Sequence, residues 1–147
     1  MAKYAGQKIR VVTAEIRRDG RYLITQRLEK SILPLLWEFP GGKVPAGQTA
    51  EGMLSNLLKN KLGVEVRVGE LVMEVVHEYD QYTVDMQVYH CEIPEEQEVQ
   101  CIGVQDVRWV SPSEFSAYEF PGADEATISA LLDLGPDESD AEPTSFN

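Results

Sequence analysis

The stretch Leu36-Trp37-Glu38-Phe39-Pro40-Gly41-Gly42-Lys43-Val44, answered downstream by Leu62-Gly63-Val64, decides how this chain is read. A short apolar segment stops at a Gly-Gly turn, and a helix follows. Pro45 and Gly47 break the chain before that helix, and Thr49 is placed to cap its N-terminus. Ala50, Met53, Leu54, Leu57, Leu58 and Leu62 recur at helical spacing and form one apolar stripe. Ser55, Asn56, Lys59 and Asn60 lie off it, and Gly63 supplies a left-handed C-terminal stop.

Strand signals flank this unit. Ile9 to Ile16 is rich in β-branched residues, Asp19-Gly20 is a hairpin turn, and Arg21 to Arg27 reads as the return strand. Leu28 to Leu36 is a loop. Glu65 to Tyr79 predicts a strand bent near Gly69. Tyr82 to Ile93 alternates, with Tyr82, Val84, Met86, Val88 and His90 on one face and Asp80-Gln81 as the connection. Pro94 to Gln100 is an acidic loop, Val107 to Val110 a short strand, and Ser111-Pro112-Ser113-Glu114 a capped helix start. Ala123 to Leu134 predicts a last helix with Ile128, Leu131 and Leu132 facing inward.

The 147 residues suffice for one domain with its own core. No apolar run approaches a membrane span, and Met1 to Lys8 has no signal-peptide core, which together point to a cytoplasmic protein. Cys91 and Cys101 share no metal-ligand spacing and read as reduced, partly buried thiols, with a disulfide the alternative on count alone. A net charge of −12 argues against nucleic acid as a partner, though not against a small anionic ligand. Residues 135–147 read as an acidic disordered tail after a domain spanning 1–134. A protein partner held through this tail, with Phe146 as anchor, is the alternative reading.

The segment from Leu36 to Val44, with Gly47 and Leu62-Gly63-Val64, resembles the Nudix family and within it the MutT-like branch. Tyr22-Leu23-Ile24-Thr25-Gln26-Arg27, Arg108-Trp109-Val110-Ser111-Pro112 and Phe120-Pro121-Gly122-Ala123-Asp124 resemble further segments of that branch, in the same order. The resemblance covers Lys8 to Leu134. It implies an α/β architecture, the Nudix fold, with a mixed central β-sheet sandwiched between helices. It also implies water attack on a phosphoanhydride assisted by Mg²⁺ or Mn²⁺.

The family's box reads G-x5-E-x7-R-E-U-x-E-E-x-G-U, with U aliphatic. Gly42 opens it here, and Gly63 and Val64 close it. Between them Gln48 stands for the first Glu, Asn56 for the Arg, Leu57 for the next Glu, and Asn60 and Lys61 for the Glu pair. Gly103 stands where such enzymes often carry a further Glu. Positions 57, 60 and 61 share one helix face. Hard cations want oxygen ligands; a hydrocarbon, an amide and an ammonium do not supply them, so no metal ligand and no cofactor is expected. Metal assistance is worth several kcal/mol of transition-state stabilisation, and each ~1.4 kcal/mol is tenfold in rate. Glu38, Glu51 and the acids from Glu95 to Glu98 are conceivable substitutes, but none has the helical spacing.

Candidate ligand contacts follow from the resemblance. Arg27 faces phosphate or nucleoside, or is a strand-end charge. Phe39 lies near a base, or in the core. Gly41 and Gly42 border the site, with Glu38 anchoring their backbone N–H groups. Lys61 either stands in for the metal against a ligand phosphate or is a solvated residue favoured by the helix C-terminus. Asp124 accepts from a purine edge or caps the last helix. His77 and His90 show no catalytic partner. Three functions stay open: a catalytically impaired nucleotide-binding or regulatory module, a Mg²⁺- or Mn²⁺-dependent pyrophosphohydrolase of nucleoside triphosphates (8-oxo-dGTP among them) with non-standard ligands, and an interaction scaffold.

Overall fold

Two hydrophobic periodicities, two for strands and 3.6 for the helix, set the layers of this molecule. The computed structural model describes residues 7–31, 33–80, 82–124, 127, 128 and 131. The strands are β1 (Gln7–Arg18), β2 (Arg21–Gln26), β3 (Trp37–Glu38), β4 (Gly41–Lys43), β5 (Arg67–Glu78), β6 (Tyr82–Glu92) and β7 (Asp106–Val110). They run in the order β3-β2-β1-β6-β5, with β4 on β1 and β7 on β2. Long β1 is the hub. It runs parallel to β6 from Gln7 to Ile16, antiparallel to β4, and passes into the β2 hairpin at Arg17 and Arg18. The sheet is therefore mixed, as expected.

Alternation on β1 sends Val12, Ala14 and Ile16 to one face, where they meet α1 (Ala50–Leu62) through Leu54, Leu58 and Leu62. Each of these leucines is fully buried, and such burial contributes roughly 2 kcal/mol apiece. The helix ends are fixed as the sequence predicts. Thr49 accepts from Gly52 N–H at 3.1 Å. Gly63, at φ 69°, donates to Lys59 O at 3.0 Å. On another side Tyr22, Ile24, Phe39, Val110, Phe115 and Leu131 pack together, with Ile128 against them. A third cluster joins Val84, Met86 and Val88 of β6 to Ala123.

Several expectations change. Gly41-Gly42 is not a turn but part of β4, with Thr13 opposite Gly41 and Val12 opposite Gly42. A Cβ on Gly41 would lie 1.9 Å from Val12 O, so glycine lets β4 reach β1 at all. The bend near Gly69 is an irregularity in the β5–β6 register between Val68 and Met73. On β6, Val84, Met86 and Val88 share a face, but Tyr89 and Cys91 are buried on the α1 side, so both faces of this strand are covered. The capped start at Ser111 leads into a 3₁₀ helix, Pro112–Ala117, where Glu114 Oε1 accepts from Ser111 N at 2.9 Å. The last helix is preceded by a 3₁₀ turn at Gly122–Asp124. Thr127, Ile128 and Leu131 are helical, whereas Leu132 and the acidic tail at 135–147 lie outside the described residues. Cys91 is buried, with its thiol pushed up to about 12 by burial, and Cys101 is exposed; both are free. Among the described residues no helix is long and apolar enough to cross a membrane.

Candidate functional site

The face of β1 turned away from α1 carries Ile9, Val11 and Thr13, and beside it β6 contributes Val84 and Met86. These form the sheet wall of a cleft of about 700 Å³, open mouth included. Gly42 and Lys43 of β4 continue the lining, as do Leu33 and the β5–β6 hairpin residues Tyr79 and Tyr82. The tyrosine rings stack at 4.9 Å. Leu33 sits at φ 56°, a conformation rare for a side-chain-bearing residue.

The basic and acidic residues lining the cleft are Arg27, Lys43, Glu38 and Asp124. Arg27 Nη1 donates to Glu38 Oε1 at 2.8 Å. That pairing holds Glu38 on a side chain, rather than on the backbone N–H groups of Gly41 and Gly42 as expected. Asp124 is only 4% exposed. Burial pushes its carboxyl well above the usual carboxylate range; the charge of Glu38 adds to this and that of Arg27 opposes it. The environment thus favours the neutral carboxylic acid, which donates as well as accepts. Asp124 is positioned by its 3₁₀ turn, in which its N–H donates to Pro121 O at 3.0 Å. Tyr79 Oη fixes that turn to the hairpin by accepting from Ala123 N–H at 2.9 Å. The alternative role, capping the last helix, involves Glu125 and Ala126, which lie outside the described residues.

The box face of α1 packs against β4. Lys61 Nζ donates to Gly41 O at 2.6 Å. Burial lowers the pKa of its ammonium; nearby Glu38 raises it and Arg27 lowers it further. Leu57 presses on Gly42 so closely that a Cβ there would lie 2.9 Å from Leu57 Cδ2 and 3.1 Å from Lys61 Nζ. Gly103 donates its N–H to Lys61 O, and a Cβ on it would come within 3.1 Å of Lys61 Cγ. The lysine stem therefore occupies the place that a side chain at position 103 would take. Asn56 and Asn60 are exposed. Gln48 is exposed too, its carbonyl accepting from Arg10 Nη1 at 3.3 Å.

This donor set does not suit the Mg²⁺ or Mn²⁺ that the box implies. An ammonium and an isobutyl group fill the space between helix and strand, and a hard cation finds no carboxylate there. Among the described residues no group of three or more His, Cys, Asp or Glu could hold an ion. Glu38, considered above as a substitute ligand, is paired with Arg27.

The structure brings Arg27, Gly42 and Asp124 onto one cleft, with Gly41 just behind it. Lys61 is bound to the Gly41 backbone, close behind Gly42, and is not among the residues lining the cleft. Phe39 is a correction. It is fully buried, 5.7 Å centroid to centroid from both Phe115 and Phe120, because this aromatic cluster seals the core beneath β2. His77 lies against Gly122, and His90 lies near Glu15 and Glu92, so neither belongs to the polar group of the cleft. Thr13, Tyr79 and Tyr82 line the cleft and were missed in the sequence. Thr13 was legible in principle, since it shares the strand parity of Val11.

A family profile described as the NUDIX domain matches residues 11–130. The chain is 34% identical over 127 residues to a CTP pyrophosphohydrolase of Escherichia coli, covering 86% of this chain and 93% of that one. It is 32% identical over 127 residues to an 8-oxo-dGTP diphosphatase of Haemophilus influenzae, covering 84% and 91%. Among solved structures, the E. coli ORF135 protein superposes with a TM-score of 0.73 at 32% identity, over 95% of this chain and 96% of that one. The chain belongs to the Nudix hydrolase family and has the Nudix α/β fold.

Proposed function

We propose that this Nudix domain binds a nucleotide, or a similar phosphorylated small molecule, in the cleft between β1, β6 and the Asp124 turn, without hydrolysing it. The observation that carries the reading is the 2.6 Å bond from Lys61 to Gly41 O, which sets an ammonium on the helix face where the family's box carries carboxylates. An internal cation there supplies positive charge without offering a Lewis-acid site. The cleft keeps what recognition requires: an apolar wall, two stacked tyrosines, and a few placed polar groups. Lys43 supplies positive charge in the cleft for phosphate, and Arg27 adds to it by sharing or exchanging its Glu38 partner.

The test is calorimetry with the mono- and triphosphates of the common nucleosides and with 8-oxo-dGTP, in EDTA and again in Mg²⁺ or Mn²⁺, alongside a phosphate and pyrophosphate release assay. Binding that survives EDTA, with no release in either metal, is the expected result. Metal-dependent release would overturn the reading.

A second reading has its own support. The E. coli and H. influenzae relatives are named as a CTP pyrophosphohydrolase and an 8-oxo-dGTP diphosphatase. On that reading the chain cleaves such a triphosphate with ligands outside the helix face, and the same release assay favours it if product appears.

A further inference from the structure

Thr13 stands in β1 between Gly41 of β4 and Val88 of β6, and it lines the cleft. It is 4% exposed, and its Oγ1 is a buried side-chain oxygen with no hydrogen-bond partner among the described residues. Native interiors hold few such orphans, because leaving a buried hydroxyl unsatisfied is costly. Valine would fill the same volume in a strand without that cost. The neighbours on this wall, Val11, Val84 and Met86, are all apolar. A lone hydroxyl set among them is the arrangement by which a mostly apolar pocket fixes a ligand's orientation.

We infer that Thr13 reads the ligand: turned about χ1 toward the cleft, its enclosed hydroxyl hydrogen-bonds the polar edge of a nucleobase whose ring lies against the apolar wall. The inference rests on the nucleotide-binding reading above and adds the residue that discriminates among bases. A hydroxyl both donates and accepts, so it serves a ring nitrogen, a carbonyl or an exocyclic amine. Asp124, on the same cleft and in surroundings that favour its neutral form, offers a second donor–acceptor pair. Two such groups in a confined slot prefer a planar partner with neighbouring polar atoms, which a sugar or a bare phosphate does not present. A site built to pair a polar edge rejects ligands that leave its own groups unpaired.

The test compares wild type, Thr13→Val and Thr13→Ser by calorimetry with AMP, CMP, GMP and UMP in EDTA, together with urea unfolding of each ligand-free protein. Thr13→Val is expected to weaken the tightest nucleotide by roughly three- to tenfold and to narrow the spread among the four. Thr13→Ser keeps the order of preference. Ligand-free Thr13→Val is expected to be as stable as wild type or more so, a result that a purely structural hydroxyl would not give. Unchanged affinities in Thr13→Val, or an equal loss for all four nucleotides accompanied by lost stability, would overturn the inference alone. Failure of the wild type to bind any of the four would overturn it together with the nucleotide-binding reading on which it rests.

Discussion

The ammonium of Lys61 lies 2.6 Å from the carbonyl oxygen of Gly41 and ties the box helix to the strand it faces. The contact joins residues twenty positions apart, and Gly103 leaves room for the lysine stem to reach it. Removing the amine while keeping the stem isolates the bond. Lys61→Met is expected to cost about 1–2 kcal/mol in urea unfolding, since bonds from a charged donor contribute about 1.5–3 kcal/mol and relief of the buried charge offsets part of it. A variant as stable as wild type would show that the contact contributes nothing.

The helix face governs metal response. Wild type is expected to show no thermal shift with Mn²⁺ alone, whereas the triple variant Leu57→Glu/Asn60→Glu/Lys61→Glu gains one, because binding to the native state alone stabilises it. The triple variant will be less stable than wild type without metal, with three like charges on one face. A clear Mn²⁺ shift in the wild type would contradict the assignment of Lys61 to the metal's place.

Asp124 couples stability to pH. Its folded-state pKa is raised by burial, so the native state holds its proton more tightly than the unfolded chain. The resulting stabilisation is complete below the unfolded value of about 4 and is lost as pH rises through the raised folded value. Asp124→Asn removes that dependence. The variant is expected to gain stability relative to wild type as pH is raised from 4 to 8, read from unfolding midpoints across the range. A constant difference between the two proteins would show that Asp124 does not titrate in this window.

Phe39 offers a control for the cleft. Its burial among Phe115, Phe120, Tyr22 and Ile24 predicts that Phe39→Ala costs about 3–5 kcal/mol. Phe39→Leu, which keeps most of the volume, is expected to lower the unfolding midpoint without reordering nucleotide preference in calorimetry. Altered base preference in that milder variant would return Phe39 to the ligand.

Local chemistry made much of this legible. The cap at Thr49, the stop at Gly63 and the leucine stripe between them are written in neighbouring residues, and the structure realises each. The Gly-Gly step misled, because two glycines signal a turn whenever their partner strand is unseen. Only the approach of Val12 O explains Gly41. The cleft was half visible. Arg27 and Asp124 came from resemblance, while Phe39, quoted on the same grounds, lies in the core. Thr13 escaped notice because an unsatisfied hydroxyl is a property of three strands meeting, not of a residue type. The destination of Lys61 was likewise undecided in sequence, since a helix-end lysine is usually solvated and only the neighbouring backbone shows otherwise.

The bond from Ala123 N–H to Tyr79 Oη spans forty-four positions and closes one end of the cleft. One jaw comes from the hairpin in the middle of the chain and the other from a segment near its end. Removing the chain from Pro121 onward would therefore take away the Asp124 side of the cleft and, with Leu131, a buried part of the aromatic core, so recognition and folding stability depend on the same late segment.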